Sequence, residues 1–250
     1  MSEKKGVLYK YRNFGDRTND IILHSKLYFS SIKGFNDPFD CRLRYRQDYS
    51  QEEIEEYCKK HSLSYDSCKG KLGTNKLFVE HSERVNNRVI ESIGVLSLSS
   101  NPNSILMWSH YAKNHTGLVF QFTVIEDDDW SECFTRPIKV DYADEYEFLS
   151  FTGDNRKELP KLMLTKMAGW SYESEYRVID LNYQGEKEFK KVELTTIIFG
   201  ARANDVDISN FIRLCEDNGF QHVKFSKAIL SKENNFSLDF QKINKEDWLV

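Results

Sequence analysis

Three short polar stretches in this 250-residue chain carry side chains suited to chemistry. The first is Glu173-x-Glu175-x-Arg177. In an extended segment that spacing places all three on one side. Two carboxylates beside a guanidinium stay ionised together, and the arginine can bridge them through paired N–H donors. Such a centre is either a structural ion pair that steadies a sheet edge or an anionic site that stabilises a cationic transition state or orients a nucleophile. The second stretch is Tyr9-Lys10-Tyr11-Arg12 and the third is Phe29-Ser30-Ser31, each at the edge of an expected strand. His110 and His115 are five apart with a helix terminus between them, so they lack the i, i+4 register of a zinc-binding helix, and no metal site is expected. There is no GxSxG elbow, no P-loop and no GxGxxG, and no cysteine has a local catalytic signature.

These side chains must be positioned by elements around Gly94–Phe122, the stretch that organises the chain. Gly94–Ser99 reads as a strand. Asn101-Pro102 reads as a helix start, with Asn as cap and Pro where an N–H would be orphaned anyway. The helix that follows, with Ile105, Trp108 and Ala112 on one face, is apolar nearly all round and is expected to be buried. Asn114 and Gly117 end it, and Leu118–Phe122 is dense enough for a central strand. Ser97, Ser99, Ser109, His110 and His115 are therefore candidates for a buried polar site, or for capping and satisfying backbone.

Before this unit, Val7–Arg12 and Lys26–Ser31 read as strands and Asn19–Ser25 as a short helix. Gly34–Asp40 is a loop built from turn formers. Ser50–His61 is a helix with a Ser50/Glu53 capping box, and Lys76–Ile93 a second one. Together residues 48–93 form a helical insertion or lid within a single domain spanning 1–250. After the unit, Arg136–Tyr142 is an expected strand and Asn155–Met167 a helix. Gly169–Ile179 is a loop entering a strand, Thr196–Phe199 a strand and Val206–Asn218 a helix. His222–Ser226 and Ser237–Ile243 are late strands. No regular βαβ period is present, so the expected class is α+β with a mixed, largely antiparallel sheet, flanking helices and the helical insertion.

The balance of 35 Lys and Arg against 39 Asp and Glu gives a net charge of −4, so a dominant nucleic-acid surface is not favoured. Five cysteines without CxxC spacing argue for free buried thiols in a reducing cytoplasm. No stretch reaches the roughly 20 apolar residues of a membrane span, and neither a signal peptide nor a membrane partner is expected.

Taken in order, LYKYR, LYFSSIKGFNDPFD, GVLSLSS, MWSHYAKNHTGLVFQF, WSYESEYRVI and IIFG resemble the bacterial domain-of-unknown-function family 2971, over roughly Leu8 to Phe240. That family has no assigned reaction. A more distant resemblance is to the ADP-ribosyltransferases, and it implies a split sheet and NAD as substrate. It assigns Arg12 or Tyr11 to holding NAD and Ser30 or Ser31 to the nicotinamide ribose. Glu175 or Glu173 stabilises the oxocarbenium-like state, and His110 is an added cleft residue. The first strand departs from the cleaner Arg or His motif of many members, and the MWSHYA helix has no counterpart there.

The expected function is thus an NAD-consuming enzyme of ADP-ribosyltransferase type, acting as a phage-defence or toxin effector on a macromolecular acceptor or with a regulatory partner. A second reading is a non-catalytic nucleotide- or partner-binding module. In it the loop with Asn36 and Asp37 and the helix with Trp108 and Tyr111 form the recognition cleft, and Arg177 joins the ligand-binding set. A third is a metal-dependent nuclease using Asp37, Asp40, Glu173 and Glu175.

Overall fold

The computed structural model describes residues 5–41, 46, 49–66, 90–125, 131–145, 148–150, 160–233 and 235–248. Twelve strands and four α-helices are described, and ten strands form one sheet. Strands β1 (Lys5–Arg12), β4 (Leu118–Ile125), β10 (Leu194–Phe199), β11 (Lys224–Leu230) and β12 (Leu238–Ile243) make one half of it. The other half consists of β2 (Lys26–Ser31), β3 (Gly94–Ser99), β5 (Ile138–Lys139), β8 (Glu175–Asp180) and β9 (Gly185–Glu188). Within this sheet all described pairs are antiparallel except β10 with β11, so the fold is α+β with a mixed, mostly antiparallel sheet. The halves meet at the register pair Tyr9↔Ser99 between β1 and β3. Ser99 in turn faces Glu175 across β3 and β8. The sheet therefore divides where the Tyr9–Arg12 stretch meets the Glu-x-Glu stretch.

Helix α4 (Asp205–Asp217) covers the first half, and helix α1 (Asp16–His24) packs beside it and against β2. Ile208, Phe211, Ile212 and Cys215 recur at helical spacing and are all buried. They meet Phe120, Phe122, Phe199 and Phe225 of the sheet in the main apolar core. Asn204 caps α4 by accepting from the Asp207 N–H at 2.8 Å. Helix α2 (Gln51–Lys60) begins with the expected capping box: Ser50 and Glu53 bond each other's backbone N–H. The expected helix Lys76–Ile93 lies outside the described residues except for its last turn, where 90–92 are helical. Among the described residues no helix is long and apolar enough to cross a membrane. Among the described residues Cys41, Cys58, Cys133 and Cys215 are buried and in no disulfide, while Cys68 lies outside them.

Several expected boundaries are corrected. Helix α1 starts at Asp16, three residues before the expected Asn19. Helix α3 (Ile105–Tyr111) starts three residues after Pro102. Its cap is Ser104, while the Asn101 side chain accepts from the Asn103 N–H at 2.8 Å in a local turn. Asparagine satisfies a turn as readily as a helix end. Nor is α3 buried all round: Met107 and Trp108 are enclosed, but Leu106 and His110 face solvent. Lys113, Asn114 and His115 then take successive left-handed conformations. Gly117 brings the chain so close to the Arg12 carbonyl that a Cβ would overlap it. The expected strand Arg136–Tyr142 is divided into β5 and β6 (Asp141–Ala143). Residues 155–159 of the expected helix Asn155–Met167 lie outside the described set, and residues 160–163 are helical as expected. Its end, Thr165–Met167, is not helix but a strand, β7, parallel to β6. Pairing with β6 overrides local helical propensity there.

Candidate functional site

A cavity of about 270 Å³ opens at the junction of the two half-sheets. Its walls include Tyr9, Lys10 and Tyr11 of β1, Ser30 of β2 and Ser97–Ser99 of β3. Asn36, Asp40, Tyr111, Lys166, Glu173 and Glu175 complete the polar lining.

Glu173 ends a 3₁₀ turn (Ala168–Glu173), and Glu175 begins β8. Ser174, between them, is left-handed, which turns the chain from one element into the other. Two contacts fix this corner. The Ser99 hydroxyl donates to the Glu173 carbonyl at 2.6 Å, and the Glu175 N–H donates to the Tyr142 hydroxyl at 2.8 Å. Both carboxylates are buried, 4% and 3% exposed.

Arg177 is fully buried and uses every face of its guanidinium. Nε and Nη2 donate to the two Glu175 oxygens at 2.8 and 2.9 Å. Nη2 also donates to Asp40 at 2.7 Å. Nη1 donates to the Met163 carbonyl at 2.7 Å and to the Cys41 Sγ at 3.0 Å. The expected bridge from Arg177 to both glutamates is corrected: it grips Glu175 alone. Glu173 is held instead by Lys166, whose Nζ lies 2.5 Å from Glu173, 3.1 Å from Glu175 and 3.3 Å from Asp40. The Tyr111 hydroxyl donates to the other Glu173 oxygen at 2.5 Å and accepts from the Asn36 Nδ2 at 3.1 Å.

This wiring separates the two carboxylates electrostatically. Burial alone would raise Glu175, but the hydrogen bonds and charge of Arg177, with the charge of Lys166, hold it at about 2. For Glu173 burial prevails over Lys166 and Tyr111, and its pKa is raised. Burial, then the Glu173 bond, keeps the Tyr111 phenol neutral by raising its pKa. Lys10 donates to the Ser97 carbonyl at 2.7 Å. Burial and then the Arg12 charge lower it to about 8, against the opposing pull of Glu175 and Glu173.

The structure gathers Glu173, Glu175, Ser30, Tyr11, Asn36 and Tyr111 around one cavity. It places the other expected residues elsewhere. Arg12 lines an adjoining cavity. Ser31 caps a 3₁₀ turn by accepting from the Lys33 N–H at 3.3 Å. Asp37 is buried beside Phe39, accepting its N–H at 2.9 Å. Trp108 is a core residue whose Nε1 donates to the Pro102 carbonyl at 2.8 Å. His110 is solvent-facing, its ring near Tyr172. Arg177 stands behind Glu175 and is absent from the cavity lining.

Sequence reasoning missed Lys166, and it named Lys10 in the first-strand stretch without giving it a role. A signal for Lys166 was present: it sits in the apolar run Leu162-Met163-Leu164-Thr165-Lys166-Met167, where a lysine must be paired if buried. Among the described residues no group of three or more His, Cys, Asp or Glu side chains is arranged to hold a metal ion. Asp40, Glu173 and Glu175 instead converge on the Lys166 ammonium.

A family described as Protein of unknown function (DUF2971) matches residues 107–178. That segment carries Tyr111, Lys166, Glu173, Glu175 and Arg177, and it leaves out β1 and β2. No curated protein and no solved structure matches the chain. The family match says nothing of ADP-ribosyl transfer.

Proposed function

We propose that this chain is an NAD-consuming enzyme of ADP-ribosyltransferase type, which transfers ADP-ribose to an acceptor or hydrolyses NAD. The observation that supports this reading is the junction cavity. It gathers β1 side chains, Ser30 and the two glutamates, the three positions that the ADP-ribosyltransferase resemblance requires.

Breaking the nicotinamide–ribose bond builds positive charge on the ribose. Glu173 is the carboxylate assigned to that charge. Glu175 has both oxygens committed to Arg177, so it is a positioning residue. Among the described residues the Glu173 carboxylate bonds only Tyr111 and Lys166, and a carboxylate offers about four acceptor sites. It therefore keeps lone pairs for a cation in the cavity. A fixed carboxylate in a site screened from water acts far more strongly than in solution. Ser30, in the lining of the same cavity, is the residue assigned to support the ribose. The Tyr11 hydroxyl already donates to the Asn101 carbonyl at 2.7 Å, so Tyr11 presents its ring to a ligand.

The test is direct detection of free nicotinamide after incubating purified protein with NAD. Glu173→Gln should lower release by on the order of a hundredfold or more. Undiminished release in that variant would sink the assignment. A second reading, a non-catalytic nucleotide-binding module, draws support from the resting bonds on both Glu173 oxygens. Thermal stabilisation by NAD without nicotinamide release would favour it. The metal-dependent nuclease has less support, because a metal would have to displace Lys166 from the three carboxylates it joins.

A further inference from the structure

The carboxylate cavity is continuous in its lining with a second cavity of about 480 Å³, through the shared residues Lys10 and Ser30. This volume falls in the range of small-molecule sites, roughly 300–1,000 Å³. The character of the wall changes across the shared residues. Lys10, Arg12, Arg17 and Lys26 line the second cavity, against Asp20 and Glu186.

Neither acidic side chain neutralises the arginines. Asp20 lies 3.9 Å from His24, and Lys26 lies 3.9 Å from Glu188. Among the described residues, Arg12 and Arg17 have no ion-pair partner. The Arg12 Nε is buried with no hydrogen-bond partner at all. Burial and the charge of Arg17 both push Arg12 below its ordinary pKa. A buried donor left unmet carries a desolvation cost, and two unpaired guanidiniums on one wall repel each other. An acceptor carrying negative charge would relieve both. Guanidinium donors match phosphate oxygens in pairs, and Lys10 has two N–H donors beyond the one it gives to Ser97.

We infer that this second cavity is a binding site for a phosphate or diphosphate group, held by Arg12 and Arg17 with Lys10 at its inner edge. The site stands whether or not the ligand is NAD. The anion it takes is either a free phosphate species or the phosphorylated part of a ligand that reaches past Lys10 to the carboxylates.

Inorganic pyrophosphate titrated into the full chain, read by calorimetry and thermal shift, tests it. Saturable stabilising binding at one site per chain is expected. Arg12→Gln and Arg17→Gln should each weaken it about tenfold, the value of one charge-assisted hydrogen bond. Arg17 is exposed, so its variant serves even if the half-buried Arg12 variant does not fold. Lys242→Gln, at an exposed position on the distant strand β12, should leave binding unchanged. ADP-ribose should compete with pyrophosphate. Tighter binding of ADP-ribose would identify a nucleotide as the source of the anion, and tighter binding of pyrophosphate the free species. Glu173→Gln should keep pyrophosphate binding, so failure of the catalytic assignment and failure of this site are read separately. Absence of saturable binding, or equal weakening by Lys242→Gln and Arg17→Gln, overturns the inference.

Discussion

Two buried regions, one in each half of the sheet, are held together in opposite ways. Beneath α4 the first half packs Phe120, Phe199 and Phe225 against Phe211 of that helix, with Phe199 and Phe225 stacked at 6.0 Å between centroids. In the second half β8 buries Arg177, and around it close Asp40, Glu175 and Lys166. Both regions exclude solvent to a similar degree, yet they are stable for different reasons. The aromatic side gains from area removed from water, which depends little on any single contact. The ionic side gains from matched charges, and each charge depends on a particular partner. Only the second arrangement leaves groups whose protonation and charge a ligand can use.

The contrast implies unequal responses to substitution. Arg177→Met should be the most damaging, because it leaves Asp40 and Glu175 to Lys166, which already pairs with Glu173. A loss of about 3–5 kcal/mol in urea unfolding is expected. A loss under 1 kcal/mol would show that the ionic side adapts as freely as the aromatic one. The acid response of Glu175 is next. Its folded pKa, about 2, lies below its ordinary 4.5. Its contribution is therefore present above pH 4.5 and lost as pH falls towards 2. Glu173, whose pKa is raised, has the opposite sign: its contribution is present below 4.5 and fades as pH rises through its folded value. Thermal unfolding across that window should be steeper in the native chain than in Glu175→Gln. Parallel curves would show that Arg177 does not stabilise the ionised form. On the aromatic side Ile212→Val, on the buried face of α4, should cost only about 0.5–1.5 kcal/mol and leave the acid limb unchanged.

The strands were legible where their patterns were strong. Lys26–Ser31 and Gly94–Ser99 have the expected limits, and the Ser50/Glu53 capping box formed as its spacing implied. Helix starts were less legible at Asn101 and Asn19, because Asn and Asp serve local turns as well as caps. The end of the expected helix at Thr165–Met167 became a strand through pairing with β6, which lies more than twenty residues earlier in the chain.

The amino-acid sequence by itself determined the α+β class, the polar stretches on β1 and β2, and the Glu-x-Glu-x-Arg cluster. These follow from local periodicity and residue type, which short windows of chain contain. Only the tertiary structure decided the pairing within that cluster. Arg177 turned to Asp40, 137 residues away, and Lys166 came from another strand to take Glu173. It also divided the sheet at Tyr9↔Ser99, which placed Arg12 in a different cavity from the glutamates. Which cation meets which carboxylate depends on chain segments brought together by burial, and local spacing holds no record of that meeting.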